Sequence, residues 1–197
     1  DYLEKYPSAI PLTDIIEDAP DLLTIGREVP AGQGWVDLLL IDKNGLLTVV
    51  ETKLARNPEV RREVVGQIIE YASYISKWNA DDIYRIANDY FKSERAPEKY
   101  RNKTFDDAIR DLGSESIVST DDFKLSIEEH LKDGRMRLII AVDELIEPLR
   151  AMVTFLNSYS NFDIFLLQVT SFEESPFKKV LFPILFGYTP RTAQTAS

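Results

Sequence analysis

Two apolar, β-rich runs joined by a tight turn constrain this chain more than any other feature. The runs occupy residues 34–41 and 46–53, and the segment Asp-Lys-Asn-Gly joins them. Short runs rich in Leu, Ile and Val on either side of Asn-Gly predict an antiparallel β-hairpin. Asp37, Glu51 and Lys53 interrupt these runs at the ends away from the turn. Charges seldom interrupt such strands without a reason, so we expect them to mark a site.

The length of the hairpin loop decides which charges meet. A two-residue type I′ loop on Asn-Gly would place Asp37 opposite Thr52, on the other face of the sheet from Glu51. A three-residue loop, with a type I turn starting at Asp42 and a left-handed Gly45 in a G1 bulge, places Asp37 opposite Glu51. The sequence of the turn suits the second geometry, which we therefore predict.

The three-residue loop predicts a cation site. Directly opposed side chains have Cβ atoms roughly 5 Å apart, and Lys53 lies on the same face two residues beyond Glu51. Two carboxylates this close repel each other unless a cation neutralises them. Oxygen ligands suit Mg²⁺ or Mn²⁺, and the absence of cysteine excludes a thiolate-rich zinc site.

A helix predicted from Pro58 to about Trp78 carries a polar residue within its apolar stripe. The stripe includes Val64, Gln67 and Tyr71 at helical spacing. A buried glutamine needs a hydrogen-bond partner. Either Gln67 is a core residue satisfied by the backbone, or Gln67 and Tyr71 face the metal site.

These residues in this order resemble the PD-(D/E)XK phosphodiesterases. Asp37, Glu51-x-Lys53 and Gln67-x-x-x-Tyr71 look like the family's motifs, and the last is similar to its RecB-like branch. Nearly all of the resemblance lies between residues 37 and 71. It implies a restriction-endonuclease-like α/β sandwich, with a mixed central sheet flanked by helices.

The resemblance also implies a role for each matched residue. Asp37 and Glu51 would hold the metal, with the backbone carbonyl of Thr52 as a further ligand. Lys53 would assist the attacking water, Gln67 would belong to the catalytic set, and Tyr71 would contact the substrate.

The chain departs from the family at its first motif, which usually places a glutamate on an N-terminal helix. Glu4 is the first candidate and Glu28 a poorer one. Because the chain starts at Asp1 without an initiator methionine, the residue could also precede it.

The net charge of −10 requires basic groups to be concentrated locally if the partner is nucleic acid. Residues 53–62 contain four basic side chains and one acidic one. We expect Arg56, Arg61 and Arg62 to contact phosphates flanking the site. A second basic-leaning stretch, residues 85–110, is interpreted as a solvated helical surface, with a nucleic-acid contact as the alternative.

We predict a single domain over residues 1–197 with a helical insertion at about 80–134. Apolar residues on both faces of the hairpin predict helices on both sides of the sheet. Further strands are expected at 135–142, 162–170 and 180–186, with a helix at 145–158 capped by Asp143. His130, the only histidine, is predicted to be a surface residue rather than a ligand.

The expected function is a Mg²⁺-dependent endo- or exonuclease. Nucleic acid is the expected partner, and DNA is implied by the resemblance alone; a homodimer is a possible further partner. No apolar run approaches the ~20 residues of a membrane helix, so no membrane is expected and cytoplasm is the default location. The alternative is a catalytically inactive module that keeps the nuclease fold for binding nucleic acid or protein.

Overall fold

Six strands form one open, mixed β-sheet at the centre of the fold. The structure is a computed structural model and describes residues 2–53, 58–112, 119–175 and 178–187. The strands are β1 (Leu22–Ala31), β2 (Gly34–Asp42), β3 (Leu47–Lys53), β4 (Arg137–Val142), β5 (Asp163–Ser175) and β6 (Lys178–Phe186). The α-helices are α1 (Tyr2–Lys5), α2 (Pro58–Ile75), α3 (Ala80–Lys92), α4 (Phe105–Arg110), α5 (Thr120–Lys132) and α6 (Glu147–Tyr159). Two 3₁₀ helices, Pro7–Ala9 and Leu12–Asp14, follow α1.

The strands lie in the sheet in chain order, from β1 to β6. The β1–β2, β2–β3 and β5–β6 pairs are antiparallel, whereas β3–β4 and β4–β5 are parallel. A parallel pair needs a crossover, and helices α2 to α5 and then α6 supply the two crossovers. The carboxyl ends of β3 and β4 therefore lie at the same edge of the sheet, where Glu51 pairs with Ile140 and Lys53 with Val142.

The two faces of the hairpin strands enter different cores, as the alternation of apolar residues predicts. Leu39 and Val49 join the larger core beneath helices α2 to α6. Leu40 and Val50 join a smaller core on the opposite face. β4 is buried along its whole length, as expected of a central parallel strand covered on both faces.

The covering of the two faces is less symmetric than expected. The five longer helices all contribute to the larger core. The opposite face is covered by the N-terminal segment instead, through Ile10, Leu12 and Ile16. Short 3₁₀ turns are enough to cover this face, because the core on it is small and needs only a few apolar side chains from the N-terminal segment.

Several predicted boundaries change in the structure. The helix predicted to start near Leu145 begins at Glu147, with Ile146 in the capping position and a proline in the first turn, so the prediction of Asp143 as its cap is wrong. β5 and β6 extend further toward each other than predicted. Three helices, α3 to α5, occupy the predicted insertion. None of the helices in the described ranges has the length and apolar character needed to cross a membrane.

Candidate metal site at the open end of the hairpin

The turn between β2 and β3 has the predicted three-residue geometry. The Gly45 N–H donates to the Asp42 carbonyl at 3.1 Å, and Gly45 has a φ of +79°. Leu38 pairs with Val50 and Leu40 with Thr48, which is the register that a three-residue loop sets. The two-residue alternative, with Asp37 paired to Thr52, is excluded.

The described ladder between β2 and β3 ends at Leu38 and Val50, just before the charged residues. In the same register Asp37 is the next residue on β2 and Glu51 the next on β3. Asp37 does not continue the backbone ladder, because its carboxylate Oδ2 accepts the Thr52 N–H at 2.7 Å. A side chain thus takes the place of a strand carbonyl where the two strands separate.

The two carboxylates differ in exposure. Glu51 is only 2% exposed, whereas Asp37 is half-buried. Burying a carboxylate is costly unless its charge is compensated. Glu51 on β3 and Asp37 on β2 thus bring two carboxyl groups to the edge of the sheet where ligands of parallel strands usually bind.

Gln67 and Tyr71 contact each other on α2. The Gln67 amide Nε2 donates to the Tyr71 hydroxyl at 2.6 Å, and Tyr71 is buried in the larger core. The Tyr71 hydroxyl lies where a side chain at Gly34 would stand, 2.6 Å from the position of a Cβ there. Gly34 therefore lets α2 approach the start of β2, three residues before Asp37.

The N-terminal glutamate candidates have other partners. The Glu4 carboxylate is buried and accepts from Arg27 at 2.9 Å and from the Tyr90 hydroxyl at 3.1 Å. Burial, followed by the Glu4 charge, raises the pKa of Tyr90. Glu28 is exposed and paired with Arg95 at 3.2 Å. No group of three or more acidic or histidine side chains is placed to hold a metal within the described ranges, so neither glutamate completes a site with Asp37 and Glu51.

The remaining predicted contacts divide into two groups. Thr52 lies on β3 and pairs with Ala141 of β4. Arg56 lies outside the described residues, and so do the side chains of Lys53, Arg61 and Arg62, whose backbone positions are in β3 and α2. The predicted phosphate contacts therefore stay predictions.

His130 is half-buried, so it lies at the surface with part of its ring covered. Its Nε2 lies 3.2 Å from the carbonyl of Asn44 in the hairpin turn. Burial, and then the nearby Arg135 guanidinium, hold the pKa of His130 below its ordinary value. The residue supports the turn at the opposite end of the hairpin from Asp37 and Glu51.

Sequence reasoning gave no role to Trp35, two residues before Asp37. Its side chain is 61% exposed and lines a groove with residues of β1 and α3. The sequence did contain a signal for an exposed Trp35. It follows the turn Gly-Gln-Gly, which offers little apolar surface to bury a large aromatic side chain.

The chain was compared with protein-family models, curated proteins and solved structures, and none of them matches it. The arguments that follow therefore depend on the residues and their geometry.

Proposed function

We propose that the protein is a metal-dependent nuclease of the PD-(D/E)XK type, with a restriction-endonuclease-like fold, that hydrolyses phosphodiester bonds, with DNA as the expected substrate. The observation that carries this proposal is the hairpin register, which brings Asp37 and Glu51 into adjacent positions where the β2–β3 ladder ends. The six-stranded sheet, with its parallel β3 and β4 and the crossover through α2, supports it at the level of architecture.

The donor set fits a hard divalent cation. Asp37 and Glu51 would provide two carboxylates and Thr52 a backbone carbonyl, and Mg²⁺ usually keeps several waters beside one or two carboxylates. When bound, the ion would supply the positive charge that polarises the phosphate and lowers the pKa of a water. Two adjacent carboxylates repel each other, and a bound cation would relieve that repulsion.

The other residues would act on the substrate itself. Hydrolysis adds water across a P–O bond, so that hydroxide joins the phosphorus and a proton joins the departing oxygen. Lys53, two residues after Glu51 on the same strand, would orient the attacking water or stabilise the charge that develops on the phosphate. Tyr71 would fix the position of α2 against the start of β2, where its hydroxyl occupies the space beside Gly34. Gln67 would hold that hydroxyl in place through its hydrogen bond.

A non-catalytic role is the second candidate, and one observation favours it. The described residues contain two carboxylates at the site and no third acidic group beside them. A nuclease-fold module that binds nucleic acid or protein would need no complete metal centre.

A cleavage assay separates these two candidates. Plasmid, linear duplex, single-stranded DNA and RNA are incubated with Mg²⁺, Mn²⁺ or EDTA. We expect metal-dependent cleavage that Asp37→Asn or Glu51→Gln abolishes and that Lys53→Ala reduces by about 10²-fold or more, with folding intact. Glu70→Gln, which removes an exposed carboxylate elsewhere on α2, is the matched control and should cleave normally. Equal cleavage by Lys53→Ala would remove its assigned role, and no cleavage by the wild type would favour the binding module.

A further inference from the structure

The described part of the chain contains a groove that the candidate metal site does not use. It lies between β1 and α3 and has a volume of about 380 Å³. Trp35 closes it at the β2 side, and Arg85, Ile86 and Arg95 line it from α3 and the segment after it. Its volume is within the range of small-molecule and nucleotide sites.

The groove combines an exposed aromatic ring with guanidinium groups. The aromatic ring is that of Trp35, which is 61% exposed. The Arg85 and Arg95 side chains are 64% and 56% exposed. A flat aromatic surface beside cations is the combination that binds unpaired bases together with their phosphates.

The acidic groups beside the groove leave Arg85 and Arg95 able to contact a phosphate. Arg85 pairs with Asp82 at 3.3 Å and Arg95 with Glu28 at 3.2 Å. Both pairs are largely exposed, and exposed ion pairs contribute little, so a phosphate can replace the carboxylate at small cost. Arg27 also lines the groove but is held by the buried Glu4 carboxylate at 2.9 Å, so Arg85 and Arg95 are the cations that a phosphate would contact.

The backbone of the groove also departs from a regular strand. Glu28, in the middle of β1, has a φ of +50°, which is uncommon for a residue with a side chain. The Glu28 carboxylate lies 3.2 Å from Arg95 and 3.7 Å from the Arg27 guanidinium, so this residue stands between the two arginines.

The groove adjoins the candidate metal site through β2. Trp35 precedes Asp37 by two residues, which corresponds to about 7 Å along a strand. Neighbouring nucleotides of one strand could therefore contact Trp35 and the Asp37–Glu51 site together. A duplex would present its bases stacked and paired, and the ring of Trp35 could not reach their faces.

We propose that the groove formed by Trp35, Arg85 and Arg95 binds an unpaired nucleotide, so that the substrate of this protein is single-stranded nucleic acid or a single-stranded end. The inference rests on the proposed nuclease function for its link to cleavage. Binding in the groove can nevertheless be measured without cleavage.

Tryptophan fluorescence provides a direct test. The chain has two tryptophans, so a Trp78→Phe variant of the full chain leaves Trp35 as the only reporter. This variant is titrated in EDTA with a thymidine oligonucleotide of about 15 nucleotides and with a duplex of the same length. We expect saturable quenching by the single strand and weaker quenching by the duplex, because only unpaired bases can stack on the ring.

Variants then identify the groove residues by fluorescence anisotropy of a labelled oligonucleotide. Trp35→Ala should weaken single-strand binding about tenfold, and Trp35→Phe should restore most of it. Arg85→Ala with Arg95→Ala should lower the affinity and reduce the slope of log K against log salt by up to about 1.4. Phe155→Ala removes an equally exposed aromatic side chain on α6 and should bind like the wild type.

The failures of the two proposals are distinguishable. If Trp35→Ala binds within twofold of Phe155→Ala, or if the duplex quenches as strongly as the single strand, the groove proposal is overturned, whatever the cleavage assay gives. If quenching is intact but no metal supports cleavage, the groove proposal stands and the nuclease proposal fails.

Discussion

The two ends of the β2–β3 hairpin each bury a carboxylate, but they surround it differently. At the closed end Asp42 is fully buried and its Oδ2 accepts from Arg137 at 2.7 Å. Its Oδ1 accepts the backbone N–H groups of Asn44 and Leu46. At the open end Glu51 is equally buried, yet its neighbour in register is a second carboxylate, Asp37.

This difference separates a structural use of buried charge from a candidate functional one. The two backbone N–H groups that Asp42 accepts fix the turn, and Arg137 ties Asp42 to β4. The turn then fixes the register that brings Asp37 to Glu51. At the open end the ladder stops, and the Asp37 carboxylate takes over one backbone N–H. The closed end should therefore control stability, and the open end should respond to metal.

The largest effect is expected from breaking the closed end at its ion pair. Arg137→Met leaves Asp42 buried without its cation and should lower the free energy of unfolding by about 3–5 kcal/mol. Arg135→Met is the matched control, since the side chains of Arg135 and Asp133 are 41% and 55% exposed and their pair should contribute only about 0–1 kcal/mol. Urea denaturation measures both. A loss below about 1 kcal/mol for Arg137→Met would contradict the structural role of the pair.

A metal titration tests the open end. A ligand that binds only the folded state stabilises it by about 2.7 kcal/mol at a concentration 100 times its Kd. We therefore expect Mg²⁺ or Mn²⁺ to raise the melting temperature of the wild type near neutral pH. Asp37→Asn should abolish the response while its amide oxygen still accepts the Thr52 N–H, so the fold is kept. Arg135→Met should respond to metal as the wild type does, and an unchanged wild-type melting curve at millimolar metal would count against the site.

Gly45→Val tests whether the turn geometry sets the register. Positive φ is strained for a β-branched residue, at a cost of about 1–3 kcal/mol. A Cβ at Gly45 would also lie 3.1 Å from the Ile127 side chain and 3.2 Å from its backbone nitrogen. Gly66→Ala, at a helical position with open space, should instead stabilise the protein by up to about 1 kcal/mol. Equal stability of the valine variant and the wild type would show that the loop tolerates other geometries.

Sequence reasoning succeeded where the determining residues are neighbours in the chain. The turn residues from Asp42 to Gly45 predicted the loop, and the alternation of apolar residues predicted that Leu39 and Leu40 lie on opposite faces of the sheet. Pro58 marked the start of α2 correctly. In each case one local rule decides between a few alternatives.

Sequence reasoning failed where the partners are far apart. Arg137 is 95 residues from Asp42, and Tyr90 is 86 residues from Glu4, so no local pattern indicated either contact. The N-terminal segment on the second face was missed for the same reason. The candidate site shows both outcomes. The hairpin register could be predicted from neighbouring residues. The partners of Glu4 and the groove beside Trp35 could not, because they depend on how distant elements pack.

The smallest expected effect concerns pH at the closed end. The pKa of His130 is lowered in the folded protein, whereas in the unfolded chain it should be near 6.5. Between those two values the unfolded chain binds more protons, so His130's contribution to stability is complete above about pH 6.5 and falls as the pH drops below it. Burial and then Arg135 favour the neutral ring most, Arg137 adds to them, and the Asn44 carbonyl and Asp42 oppose this lowering of the His130 pKa in part.

His130→Gln isolates this contribution, because the glutamine amide can still donate to the Asn44 carbonyl but does not titrate. The unfolding free energies of the two proteins are compared by urea denaturation at about pH 7.5 and about pH 5.5. We expect the wild type to lose more stability over this interval than the variant, while carboxylate titration affects both equally. Parallel losses would show that the ring is accommodated in its charged form, and the closed end would then owe its stability to Asp42, Arg137 and Gly45 alone.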